Sequence, residues 1–213
     1  MDDLRFLVIE GNIGAGKTTL ATRLSEDLNA RLVLEQFADN PFLPKFYADK
    51  EKYSFPLELS FLADRYNQIN KEVLQPELFR SMMISDYYFT KSAIFSANTL
   101  QEDEYRLFRR LFNIVFESLP KPDLYVYLHV SVENLLKNIR KRGREYEQQM
   151  DPLYLESIQQ GYFEYFRQVT QFPVLIIDTN KLDFVEHQED YQLLKQAILN
   201  RENRSGVSRI ILP

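Results

Sequence analysis

The run Gly11-Asn12-Ile13-Gly14-Ala15-Gly16-Lys17-Thr18 has the residue types and spacing to hold a chain of phosphates. It matches G-x-x-x-x-G-K-[ST] at every defined position. Its glycines let the backbone curl so that several N–H groups point at one anion. A helix starting near Gly16 adds the positive end of its dipole. Lys17 can reach the outer phosphates, the Thr18 hydroxyl can ligate Mg²⁺, and Thr19 continues the first turn. A tight strand-to-helix turn with a chance lysine is the bland alternative, and the order strand, loop, helix argues against it. The motif points to a nucleoside triphosphate with Mg²⁺. It does not separate a kinase from an ATPase, a GTPase or a motor.

Two carboxylates follow at the ends of apolar runs. Glu35 closes residues 31–35 and Asp86 closes residues 81–86. At the carboxyl edge of a parallel sheet such groups stand beside bound phosphates. Asp86 suits Mg²⁺, directly or through water, with an N-cap for the next helix as the alternative. Arg142 and Arg144 lie in a basic stretch, residues 137–144, broken by Gly143. Guanidinium groups on a lid, about residues 142–151, would suit the spread charge of a transferring phosphoryl group. A solvated helix face is the competing reading. Glu58 and Arg65 stand two helical turns apart on one face, where an ordinary ion pair is the alternative to a ligand contact.

The elements that must position these groups alternate along the chain. Apolar runs at 4–10, 31–35, 81–86, 123–129 and 173–178 read as strands buried on both faces. Apolar residues recur at helical steps between them, as in Phe108, Phe112, Val115 and Leu119, and in Leu155, Ile158, Tyr162 and Tyr165. These aromatics read first as core, and the same helices could supply a dimer interface. The pattern predicts an α/β, three-layer P-loop fold with a five-stranded parallel sheet flanked by helices and a lid. With 213 residues, no internal repeat and no low-complexity linker, residues 1–213 read as one domain. The tail that ends Ile210-Ile211-Leu212 receives no function.

Composition excludes other classes. The chain has no cysteine and two histidines, which rules out disulfides and thiolate metal sites. A net charge of -5 argues against coating nucleic acid. No run approaches the length of a membrane span, and the start lacks a signal-peptide pattern, so a cytoplasmic location is expected.

The stretch from Glu10 to Thr19, then Glu35, then Asn40-Pro41-Phe42-Leu43-Pro44-Lys45-Phe46-Tyr47, resembles the bacterial deoxynucleoside kinase family. Asp86-Tyr87 with Lys91 and Ile94-Phe95, and Arg142-Gly143-Arg144-Glu145-Tyr146-Glu147, extend the likeness over nearly the whole chain. Within the family the chain resembles the purine deoxynucleoside kinases, and among them the deoxyguanosine kinases. The resemblance implies ATP as donor, a free deoxynucleoside as acceptor, and a homodimer. It implies that Glu35 accepts the 5′-hydroxyl proton and that Lys17, Arg142 and Arg144 stabilise the transferred group. It implies that Tyr47 and Glu147 bind the sugar 3′-hydroxyl, and that Asp183 and Phe184 hold the ATP adenine. Many relatives carry an acidic-Arg-Ser motif whose arginine positions the catalytic carboxylate. Here Asp86-Tyr87-Tyr88 has no arginine. Asn138 stands where relatives often carry another arginine, which leaves open whether Arg140 compensates.

Glu58 occupies a position where many relatives carry a glutamine that reads the base. An ionised carboxylate only accepts hydrogen bonds, and guanine offers two donors on one edge, N1–H and the N2 amino group. Arg65 and Lys91 would then donate to O6 and N7. Adenine presents an acceptor at N1 and fits worse. Deoxyguanosine is therefore the expected substrate, with deoxyadenosine second. A nucleoside monophosphate kinase would share the loop and lid but needs cations for an acceptor phosphate, and residues 35–44 hold no arginine. A non-catalytic nucleotide-binding protein would not require Glu35, Asp86 and the lid arginines together.

Overall fold

Strand β1 (Phe6–Gly11) is buried along its whole length, as an unbroken apolar run in mid-sheet requires. Around it the computed structural model, which describes residues 4–36, 40–73, 82–200, 202 and 206–212, builds a parallel sheet. The other strands are β2 (Arg31–Val33), β3 (Met83–Ser85), β4 (Leu124–His129), β5 (Val174–Asp178) and β6 (Val207–Ile211). Their order is β2-β3-β1-β4-β5-β6, and every neighbouring pair is parallel. The strand expected from residue 81 begins at Met83, and Ser81 lies outside the described residues.

The sheet has six strands where five were expected. The sixth comes from the apolar tail, which pairs with β5 from Val174–Val207 to Asp178–Ile211. As an edge strand it is covered on one side, and its burial alternates along the chain. It therefore lacks the continuous apolar run by which the inner strands are recognised.

Helices α1 (Lys17–Asp27), α2 (Leu43–Ala48), α3 (Lys50–Val73), α4 (Thr90–Thr99), α5 (Glu102–Phe116), α6 (Val132–Arg142), α7 (Pro152–Phe166) and α8 (Gln188–Leu199) flank the sheet. Local chemistry sets several boundaries. A capping box between Gln101 and Glu104 starts α5, Ser131 caps α6, and Asp151 followed by Pro152 starts α7. Gly143, at φ 76°, ends α6 in the left-handed conformation that glycine adopts without a steric penalty. Phe108 and Phe112 of α5 are buried, whereas Leu107, Leu111 and Ile114 on its other face are exposed.

The chain steps from β1 outward to β2, back to β3, then across β1 to β4, so the sheet changes direction beside β1. Ligands of open parallel sheets bind at the carboxyl ends of strands at such a point. Glu10 ties this point together. Its buried carboxylate accepts from the amides of Gly11 and Tyr88 and from the Tyr162 hydroxyl, at 3.2, 2.9 and 2.9 Å. One side chain thus fixes the loop after β1, the exit of β3 and helix α7.

The opposite end of β1 is held by Asp123, whose Oδ2 accepts from the amides of Arg5 and Phe6 at 2.7 and 2.8 Å. Asp123→Ala leaves both donors without this partner. A cost of about 1–2 kcal/mol is expected, which lowers Tm by about 2–8 °C in a thermal melt.

Candidate active site

The loop between β1 and α1 is shaped by two glycines with positive φ, Gly14 and Gly16, both at 84°. Close packing also requires them to be glycine. A Cβ on Gly14 would sit 2.9 Å from the Leu135 carbonyl of α6, and one on Gly16 would sit 2.6 Å from the Phe184 ring. No side chain caps the first turn of α1, so its leading N–H groups face the loop without a protein acceptor from a cap. Asn12 pins the loop from below, donating to the Leu155 carbonyl of α7 at 2.7 Å and accepting from the Ile13 amide. Lys17 donates to the Asn12 carbonyl at 2.9 Å. Burial and then the charge of Lys91 push its ammonium down to about 8, against the pull of Glu10, Glu35 and Asp86.

Glu35, just beyond β2, is gripped from two helices. Arg65 of α3 donates from Nε and Nη2 to Oε1 at 3.0 and 2.5 Å. Lys91 of α4 donates to Oε2 at 2.5 Å. Burial alone would raise this carboxyl, but the Lys91 and Arg65 charges outweigh it and bring it down to about 2. Glu35 is therefore ionised throughout the physiological range. Asp86, at the exit of β3, accepts from the Glu35 amide at 2.7 Å and from the Thr18 hydroxyl at 2.5 Å. It joins the phosphate-loop side of the site to the Glu35 side. The alternative reading of Asp86 as a cap for the following helix is not met, since α4 has no side-chain cap.

Helix α3 presents two buried charged side chains to the same cleft, Glu58 and Arg65. The Glu58–Arg65 ion pair, the alternative to a ligand contact, does not form, because Arg65 turns to Glu35 and its Nη1 to the Ser92 hydroxyl at 2.6 Å. Glu58 accepts from Thr99 at 3.1 Å through Oε1, while Oε2 is buried with no hydrogen-bond partner. Burial lifts this carboxyl to about 7, against the attraction of Arg65.

The segment after α6 folds over the site through a 3-10 turn, Glu145–Glu147. Glu147 is buried and receives both arginines, Arg142 on Oε2 and Arg144 on Oε1. Tyr47 of α2 stacks on Tyr146 with ring centroids 5.6 Å apart. Burial, and then the Glu147 charge, raise its phenol well above the ordinary range. On the far side of the loop, Phe184 is buried against Gly16, and Arg23 donates to its carbonyl at 2.5 Å. Asp183 shapes this turn by accepting from the amides of Val185 and Glu186.

The cleft divides into an inner part, lined by Tyr47, Glu58, Phe61, Phe95 and Tyr154, and an outer part, lined by the residue 14–19 loop and by residues 179–185. Both parts share Lys17, Thr18, Glu35, Asp86, Arg142 and Arg144. Every candidate residue singled out from sequence thus falls in or beside one cleft. The sequence marked Asn138 only as a departure from relatives, and here it donates to the Gly14 carbonyl at 2.8 Å; it did not announce Lys141, which lines the outer part. Arg140 is exposed and lines neither part, so it does not stand in for the arginine absent at Asn138.

A model of the deoxynucleoside kinase family matches residues 7–201. The chain belongs to the deoxynucleoside kinase family. It is 35% identical over 196 residues to the deoxyguanosine kinase of Bacillus subtilis (strain 168), covering 90% of this chain and 95% of that protein. It is 32% identical over 193 residues to the deoxyadenosine kinase of Lactobacillus acidophilus, covering 85% and 89%. Among solved structures, the deoxyadenosine kinase from M. mycoides with bound dATP superposes with a TM-score of 0.77 at 25% identity, over 92% of this chain and 100% of that one.

The donor set of this deoxynucleoside kinase fits a phosphate-bound Mg²⁺. The Thr18 hydroxyl and an Asp86 oxygen already converge, and Mg²⁺ bound with nucleotide usually takes one or two protein oxygens plus phosphate and water. Among the described residues no cluster of three or more His, Cys, Asp or Glu side chains forms a separate metal cage.

The Glu35 ion pairs make a stability prediction independent of turnover. Glu35→Gln leaves two cations largely buried without their anion, and a loss on the order of 3 kcal/mol is expected. Adding Lys91→Met should recover part of that loss. Denaturant melts of the two single variants and the double variant measure the coupling, and strict additivity would contradict the pairing.

Proposed function

We propose that this chain transfers the γ-phosphoryl group of ATP to the 5′-hydroxyl of a purine deoxynucleoside, deoxyguanosine before deoxyadenosine. The observation that carries this reading is the junction of the two parts of the cleft. An ionised Glu35 stands there, between the phosphate loop and the pocket that holds Glu58.

In this reading the amides of residues 11–19 and Lys17 hold the phosphates, and the loop around Asp183 and Phe184 holds the ATP adenine. Thr18 and Asp86 hold Mg²⁺, which screens the charge of the phosphate oxygens. Tyr47 and Glu147 take the sugar 3′-hydroxyl, Glu58 reads the base edge, and the N–H groups that Arg65 and Lys91 keep free donate to O6 or N7. Residues 142–151 act as a lid, within one domain spanning 1–213, and Arg142 and Arg144 stabilise the transferred group.

The depressed pKa of Glu35 defines its task. A carboxylate that is ionised down to about pH 2 is a weak base towards a resting alcohol. Its strength is as a fixed acceptor that orients the hydroxyl for in-line attack. The alcohol becomes strongly acidic only as its oxygen bonds phosphorus, and in a loose transition state that comes late. Glu35 takes the proton then, while Arg65 and Lys91 hold it in place.

The monophosphate-kinase alternative is disfavoured by the same geometry. The cations nearest Glu35 are Arg65 and Lys91, and both are already bound to it. An acceptor phosphate would have to share these cations with a carboxylate of like charge.

The chain's lack of cysteine suits the reducing cytoplasm. A homodimer is expected through the exposed face of α5 that carries Leu107, Leu111 and Ile114. Light scattering should report a dimer, and Leu111→Lys with Ile114→Glu should shift it to a monomer.

Steady-state assays test the reaction. Deoxyguanosine and deoxyadenosine should be phosphorylated, and the monophosphates should not. One buried polar mismatch of about 1–3 kcal/mol favours deoxyguanosine in kcat/KM by roughly 5- to 150-fold at neutral to alkaline pH. Glu35→Gln, assayed well below its Tm, should lose about 10²–10⁴ in kcat while still binding both substrates. Retained turnover in Glu35→Gln, or phosphorylation of monophosphates, would defeat the reading.

A further inference from the structure

Four buried side-chain atoms have no hydrogen-bond partner among the described residues: Glu58 Oε2, Thr90 Oγ1, Tyr125 Oη and Gln159 Oε1. Of their residues, only Glu58 lines the cleft. It is 2% exposed, so its free oxygen has no bulk water to satisfy it. A buried acceptor with a vacant valence, on a residue that lines a ligand cavity, has the chemistry of a recognition group.

The mounting of Glu58 tolerates two protonation states. Thr99 Oγ1 lies 3.1 Å from Glu58 Oε1 and 3.0 Å from the Phe95 carbonyl, and a hydroxyl has one proton for the two. When Glu58 is ionised, Thr99 donates to it. When Glu58 carries a proton on Oε1, Thr99 donates to Phe95 and accepts from Glu58. With the proton on Oε2 instead, Thr99 still donates to Oε1 and the free oxygen becomes a donor. No side chain has to move between these states.

The surroundings favour neither state strongly. Arg65 on its own helix and Lys91 on α4 favour the charged form, and Glu35 beyond β2 opposes it. Tyr154 of α7 packs on the same cavity as a neutral phenol, its acidity suppressed by burial. Glu147, Arg142 and Arg144 close the far wall as an internally paired group. The balance against desolvation leaves Glu58 at about 7.

We infer that the proton on Glu58 selects the purine: ionised Glu58 accepts from the N1–H and N2 amino group of guanine, and protonated Glu58 donates to N1 of adenine. This rests on the reading that Glu58 meets the base edge. Its consequence is that deoxyadenosine binds with uptake of a proton and deoxyguanosine binds to the proton-free form. One kinase then serves purines with a donor at N1 and purines with an acceptor at N1, in a ratio set by pH. Deoxyinosine, which has N1–H but no N2 amino group, belongs with deoxyguanosine in the sign of its pH dependence.

The test is kcat/KM for deoxyguanosine, deoxyinosine and deoxyadenosine between about pH 6 and 8, with the wild type, Glu58→Gln and Thr99→Val. For one exchangeable proton, the deoxyguanosine-to-deoxyadenosine ratio should rise by up to about tenfold per pH unit. Deoxyinosine should follow deoxyguanosine. Glu58→Gln, whose amide donates and accepts at every pH, should give a ratio that does not change with pH. Thr99→Val removes a donor to the ionised form, so the deoxyguanosine limb should move to higher pH. A wild-type ratio that stays level while Glu58→Gln shifts the purine preference would overturn the proton mechanism and leave the base contact standing. A preference untouched by Glu58→Gln would sink both.

Discussion

Burial of charge at the carboxyl edge of the sheet is the constraint on which the rest of the site depends. Glu35 leaves β2, Arg65 lies on α3, Lys91 on α4, and Asp86 leaves β3. A carboxylate or an ammonium withdrawn from water must be paired, or its cost reaches several kcal/mol. The contacts that satisfy this requirement also set where α3 and α4 sit against the β2–β3 side of the sheet. Packing alone would allow these helices some freedom of register. Arg65 forking onto Oε1 and Lys91 closing on Oε2 remove it.

The same charges reach the phosphate loop. Lys91 lowers the pKa of Glu35 by attraction and that of Lys17 by repulsion. Lys17 meanwhile rests on the Asn12 carbonyl, a neutral acceptor, with its pKa brought down to about 8 by burial and by Lys91. A polyanion in the loop would supply the charge that Lys17 lacks and draw its pKa back up. The loop thus carries an electrostatic imbalance of a sign that phosphate relieves, which is preorganisation for an anion. The uncapped first turn of α1 acts in the same direction.

What could be read in the sequence follows from which contacts are local. The phosphate loop is contiguous, and its glycine requirement shows in the order of residues; the structure adds that α6 and Phe184 press on Gly14 and Gly16. Glu35 and Asp86 could be placed because strand ends are legible from apolar runs. The partners of Arg65 and Lys91 could not. Helical spacing says which face Arg65 shares with Glu58, but the nearer anion is Glu35, thirty residues away in sequence. The departure at Asp86-Tyr87-Tyr88, which lacks the arginine of many relatives, is met by Lys91 from the first turn of α4, while Tyr87 turns away to the Gln68 side chain. The edge strand β6 escaped because half of its side chains face solvent.

In the proposed reaction, Glu147 is where the two parts of the cleft must communicate. It is buried, and its two oxygens are occupied by Arg142 and Arg144. Tyr47 lies close enough to feel its charge and stacks on its neighbour Tyr146. A carboxylate has lone pairs beyond those two bonds, so a sugar hydroxyl can join the cluster without expelling either arginine. The hydroxyl then completes the acceptor valence of the group that aims Arg142 and Arg144. Sugar identity and the position of the phosphoryl-side arginines are therefore tied through one buried carboxylate, and a sugar that fits poorly disturbs the arginines as well as its own binding.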